Sequence, residues 1–155
     1  MLNGVTATLQ TEIKKIHQQV RTTTVYVTHG QGEALALSHE IAVMSEGRIV
    51  QIGAPRLLYE RPASRFVADF IGIANIFEHD GDWYALRPEK IRLSTTGQGR
   101  EGKIVDIAYE GDRSLYRVDV GGNVMVAAAP PSDSLRRGSR VWLDWPADAA
   151  HRLEN

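Results

Sequence analysis

The apolar residues change rhythm near residue 73, and the second rhythm is the tighter constraint on what this chain can fold into. From there on, 84–86, 91–94, 103–109, 115–120, 123–128 and 140–145 are short strand-like runs separated by turns of Gly, Asp and Pro. Strands this closely spaced point to a small all-β barrel. The stretch from Gly72 to Asn75 is the expected domain boundary, giving 1–72 and 73–155.

Ahead of the boundary the pattern is mixed. Val5, Leu9, Ile13, Ile16 and Val20 recur at spacings of four and three, the mark of an amphipathic helix with Glu12, Lys14 and Lys15 on its wetter side. Its apolar stripe has to cover something. Val25, Tyr26 and Val27 read as a buried strand of the parallel-sheet kind, which needs neighbours on both edges. Residues 41–44 and 48–52 read as a hairpin around Ser45, Glu46 and Gly47, with Gly47 able to supply a positive φ. Pro55 suits the first position of a short helix through Leu57, Leu58 and Tyr59, closed by Pro62. Ser64 is a fitting N-cap for a second short helix, with Phe66, Val67, Phe70 and Ile71 on one apolar side and Gly72 as its stop. At that spacing the two phenylalanines are expected in a core rather than against a cofactor.

His29 is the one residue with a catalytic look. Glu33, Ala34, Leu35, Ala36 and Leu37 are helix formers, so His29 would stand where the 25–28 strand turns into a helix. Ligands bind at that end of strands in open α/β sheets. A neutral imidazole there can donate to a phosphate oxygen while a backbone group holds its other nitrogen. A lone histidine at such a place more often just caps a strand, and the residues alone leave both readings open.

A family resemblance bears on that choice. Val27, Thr28, His29, Gln31, Glu33 and Ala34 resemble the switch-histidine loop V-T-H-D-Q-x-E-A of ABC importer ATPases, with Gly30 where that family has Asp and Gly32 as a second flexible residue. Gly47, Arg48, Ile49, Gln51, Gly53, Pro55, Tyr59 and Pro62 resemble its G-R-I-x-Q-x-G-x-P-x-x-x-Y-x-x-P segment. Phe66, Val67, Ala68, Phe70, Ile71, Gly72 and Asn75 follow F-V-A-x-F-I-G-x-x-N, and Leu86, Arg87, Pro88 and Glu89 resemble the L-R-P-E signature of the transport-associated OB domain. The resemblance implies an α/β fragment, the end of an ABC ATPase nucleotide-binding domain, followed by a small all-β OB-like barrel. It also implies ATP and Mg2+ as cofactors of the intact family and His29 as the γ-phosphate contact.

The rest of that nucleotide site is missing from the sequence. There is no Gly-rich loop ending in Lys-Ser/Thr, no Walker-B Asp with its Glu, and no signature loop. Gly97, Gly102 and Lys103 satisfy G-x-x-x-x-G-K, but Ile104 offers no hydroxyl to a metal and 103–109 reads as a strand, not a phosphate-capping helix. By alignment Met1 falls at or just past the D-loop, so the expectation is a carboxyl-terminal fragment that binds neither cofactor well by itself. The barrel also looks short at its beginning, with few residues between Asn75 and Arg87 where many importers have extra strands.

Composition restricts the remaining options. No apolar run approaches the ~20 residues of a membrane helix, so membrane attachment is expected through permease partners at the cytoplasmic face. Cysteine is absent, and the formal net charge of −1 argues against a nucleic-acid binder. Arg136, Arg137 and Arg140 near Trp142 and Trp145 offer a single-strand recipe, but a solvated basic turn before a strand is the simpler reading. Asp106, Glu110, Asp112 and Asp119 could favour a cation, yet scattered carboxylates are usually solvated; the five histidines are too dispersed for a structural metal site. The phrases from Val105 to Asp112 and from Trp145 to His151 look most like polyamine-type importers. The open strand and apolar helix imply a second copy of the chain as partner. The contrasting reading is a stand-alone OB-like ligand-sensing or regulatory module.

Overall fold

The computed structural model describes residues 3–20 and 22–154. Helix α1 (Asn3–Val20) forms where the four-and-three spacing places it, with Lys15 and Glu12 paired at 2.8 Å on the wet side. Its stripe, however, is uncovered: Leu9, Ile13, Ile16 and Val20 are all exposed, while the side chain of Val5 lies outside the described residues. The strand expected at Val25, Tyr26 and Val27 is a second correction. Residues 22–28 belong to no strand or helix, and Val27 is 91% exposed. β-branched residues favour a strand only when another edge meets their backbone groups, and none does so among the described residues.

After helix α2 (Gln31–Leu37), strands β1 (Ile41–Ser45) and β2 (Arg48–Gly53) make the expected hairpin. Its two turn residues, Glu46 at φ 49° and Gly47 at φ 75°, give the left-handed pair that matches strand twist. Helix α3 (Pro55–Glu60) starts on its proline, and helix α4 (Arg65–Phe70) is capped by Ser64, whose Oγ accepts from the Val67 N–H at 3.3 Å. Gln51 ties the hairpin to the link between them, donating to the Arg61 carbonyl and accepting from the Ala63 N–H. Ile41, Val43, Leu58, Val67 and Ile71 form one buried cluster. The phenylalanines differ from expectation. A six-residue helix has one buried side, which Val67 and Ala68 take, so Phe66 and Phe70, four apart, stack on each other at the surface with centroids 5.6 Å apart.

The remainder is antiparallel β. Strands β3 (Asn75–His79), β4 (Asp82–Leu86), β5 (Arg92–Ser94), β6 (Arg100–Tyr109), β7 (Ser114–Val120), β8 (Asn123–Ala129), β9 (Arg140–Asp144) and β10 (His151–Arg152) form two sheets, ordered β10-β4-β3 and β5-β9-β6-β7-β8. The larger sheet curls around Leu86, Ile91, Ile104, Tyr116, Val118, Met125, Val141 and Leu143, so β4 of the smaller sheet shares its core. Fully burying each such side chain is worth roughly 1.5–3 kcal/mol. Asn75 joins the two sheets: its Nδ2 donates to the carbonyls of Val126 and Leu86, and its Oδ1 accepts from the Val126 N–H. One side chain thus stands in for a ladder at the edge of β8. Close packing at Gly102 is equally specific, since a Cβ there would lie 2.6 Å from Val118 Cγ1 and 2.8 Å from the Asp119 carbonyl oxygen.

Sequence reading missed β3 and β10. The short segment between Asn75 and Arg87 holds a complete hairpin turning on Asp80 (φ 52°) and Gly81 (φ 81°). The fold is an α/β portion followed by an OB-like β domain.

Candidate functional site

His29 sits at an exposed bend, one residue before the Gly30 N-cap of α2. Its flanks are fixed although the residue itself is free of the protein interior. Glu33 accepts hydrogen bonds from the Tyr26 hydroxyl at 3.0 Å and the Thr28 hydroxyl at 2.9 Å, while Thr28 Oγ1 accepts from the Gly30 N–H at 2.8 Å. A Cβ at Gly30 would lie 2.9 Å from Glu33 Oε2, so an aspartate there would displace this carboxylate. Gln31 Oε1 accepts from the Gly72 N–H at 3.2 Å, linking the loop to the end of α4. The loop therefore presents an imidazole on a braced turn.

Nucleotide would need more than this. Gly97 to Lys103 forms a loop running into β6, with Lys103 paired across to Asp119 and Arg140 and Ile104 buried in the barrel core. The described residues thus supply no phosphate cradle and, alone, do not fit ATP–Mg2+. Nor do the carboxylates converge: Glu110 pairs with Arg113 at 2.8 Å, and Asp119 accepts from the Gly122 N–H. Among the described residues no group of three or more His, Cys, Asp or Glu could hold a metal ion.

The L-R-P-E residues meet the α/β portion directly. Arg87, 4% exposed, donates from Nε to the Tyr59 carbonyl at 2.9 Å and from Nη1 to the carbonyls of Ala68, Gly72 and Ile73 at 3.0–3.2 Å. One guanidinium thereby satisfies carbonyls near the ends of α3 and α4, where backbone acceptors lack helical partners. Its plane lies 4.1 Å from the centre of the Tyr59 ring. Burial lowers the Arg87 pKa, and burial followed by nearby Glu89 pushes the Tyr59 hydroxyl up to about 12. Ala68, Ala85 and Leu153 pack across the same junction, and the Glu154 N–H reaches the Ala63 carbonyl at 2.9 Å.

Trp142 and Trp145 are partly buried, and among the described residues neither ring carries an arginine of the 136–140 turn on its face. Arg140 pairs with Glu101 at 3.2 Å. Trp145 meets Arg100, Phe77, Tyr84 and His79 around a recess of about 270 Å³ that Ala147 and Ala150 also line. The sequence reading singled out neither Arg100 nor Phe77. The Asp80-Gly81 hairpin signal, which sets Phe77 opposite Tyr84, could have found part of it.

Residues 84–153 fit the TOBE domain family. The wider match follows the α/β portion as well. The chain is 38% identical to the spermidine/putrescine import ATP-binding protein PotA of Chromobacterium violaceum, covering 94% of this chain and 52% of that protein. It is 37% identical to the uncharacterized ABC transporter ATP-binding protein YdcT of Escherichia coli, covering 90% and 46%, and 36% identical to PotA of Pseudomonas aeruginosa, covering 92% and 51%. The chain spans about half the length of these relatives. It belongs to the family of ABC importer ATP-binding subunits and corresponds to the carboxyl-terminal, TOBE-bearing part of such a subunit.

Proposed function

We propose that this chain serves in an ATP-hydrolysing subunit of a polyamine importer, with residues 1–72 ending the nucleotide-binding domain and 73–155 forming the regulatory barrel. The observation that carries the reading is the similarity to two PotA proteins over more than nine tenths of the chain. In an intact subunit His29 contacts the γ-phosphate, and the brace of Glu33, Thr28 and Gly30 holds its turn ready for that contact. The subunit lies at the cytoplasmic face of the membrane, attached through permease subunits and working beside a second copy. No helix among the described residues is long and apolar enough to cross a membrane.

The chain by itself is expected to hydrolyse no ATP, because its described residues make no phosphate cradle. Steady-state turnover by the purified chain should equal the buffer blank; turnover abolished by His29→Ala would overturn this. In cells, deleting the gene should remove uptake of labelled spermidine and spare that of maltose. Unchanged spermidine uptake would refute the assigned substrate. A separate ligand-sensing role for the barrel finds support in the recess beside Trp145.

A further inference from the structure

We propose that the recess between the two sheets of the barrel is a binding site for a small, planar aromatic anion. Its walls follow from register. Phe77 and Tyr84 are cross-strand partners on β3 and β4, so their rings stack 6.0 Å apart at 18°, and His79, two residues on, meets the Tyr84 ring edge-on at 6.4 Å. Trp145, just past β9, closes the opposite side, tilted 51° to Phe77 with centroids 6.3 Å apart. Where two sheets meet, large side chains normally interdigitate. Here Ala147 and Ala150 complete the lining with small side chains, and the recess holds about 270 Å³, room for one ring system.

Charge decides which ring. Arg100, the first residue of β6, lies with its guanidinium 4.9 Å from the Trp145 ring centre and 5.9 Å from that of Phe77. It forms no ion pair among the described residues, whereas its neighbour Glu101 is already taken by Arg140. Arg100 thus occupies the face of Trp145 that a ligand cation would seek, and it repels amines from it. An aromatic carboxylate gains twice, stacking on the rings and pairing with an otherwise unmatched guanidinium. The site is distinct in chemistry from any that would hold a polyamine.

Calorimetric titration of the full chain with benzoate, cyclohexanecarboxylate and benzylamine tests both requirements. Benzoate should bind saturably with Kd at or below about 1 mM, cyclohexanecarboxylate about tenfold more weakly or worse, and benzylamine not at all. Arg100→Gln should weaken benzoate about tenfold, and Ala147→Leu, which enlarges a lining side chain into the recess and leaves every charge in place, should abolish binding. Both residues are exposed, so the variants should keep the melting temperature of the parent. Absence of saturable benzoate binding, equal binding of benzylamine, or benzoate affinity unchanged in both variants would overturn the proposal.

Discussion

Replacing Arg87 by methionine keeps a long, unbranched side chain and removes every donor it aims at the ends of α3 and α4. Four carbonyls lose their partner in a place with little access for water. Each unsatisfied buried acceptor costs about 1–3 kcal/mol, and relaxation recovers part of the sum, so a loss of roughly 3–5 kcal/mol is expected in urea unfolding. Lysine should rescue little, since a compact ammonium cannot span acceptors spread around a planar fork. Its ring neighbour adds a pH dependence. Tyr59 is held neutral in the folded chain up to about pH 12, against 10 for an ordinary phenol. An unfolded chain therefore releases this proton first as pH rises, and the stability Tyr59 contributes is intact below pH 10 and lost between 10 and about 12. Absorbance of phenolate in Tyr59→Phe against the parent should show one late-titrating tyrosine missing, and the variant should lose less stability across that interval.

Asn75 works at the level of elements, because it closes β3 onto β8 without a ladder. Asn75→Ala strands the N–H and carbonyl of Val126 together, and a loss of roughly 2–3 kcal/mol is expected. Asn75→Asp should be at least as damaging, since it keeps the acceptor for Val126 but sets a carboxylate against two carbonyls. Hydrogen exchange at the Val126 amide reports the closure directly, and protection as slow in Asn75→Ala as in the parent would contradict it. The elements that sequence foretold share a local cause: the β1–β2 turn at Glu46-Gly47, Pro55 and Ser64 at helix starts, Gly72 as a stop, and alternating runs in β6 to β9 all act within a few residues. The misses needed distant partners. Val25 to Val27 has strand propensity and no edge to pair with, and β10 is two polar residues defined only by its register on β4. The candidate site divides in the same way. His29 and its motif were legible as local sequence, whereas the brace from Glu33 and the recess around Arg100 exist only after folding.

At the scale of the molecule the proposed boundary between 72 and 73 marks a change of pattern rather than of mechanics, because the two portions interlock. A chain starting at Ile73 keeps the whole of the largest core cluster but removes three of the four carbonyls held by Arg87. It also removes Ala68 from its place against Ala85 and Leu153, the Ala63 carbonyl from Glu154, and Arg65 from the face of Trp83. It should therefore fold, yet be less stable than the full chain by roughly 3–5 kcal/mol. A chain starting at Gly30 makes the opposite case. It keeps α2, the junction and both core clusters, and loses only α1 and a segment whose large apolar side chains are mostly in water. Its stability should lie within about 1 kcal/mol of the parent in urea. The two truncations also separate routes to self-association. Leu9, Ile13, Ile16, Val20, Val25 and Val27 are all exposed, so if a second copy docks there, light scattering should show the full chain associating and the 30–155 chain monomeric. A 30–155 chain that still pairs would move the contact elsewhere, for instance to the outer face of the β1–β2 hairpin, where Met44, Ile49 and Ile52 are exposed.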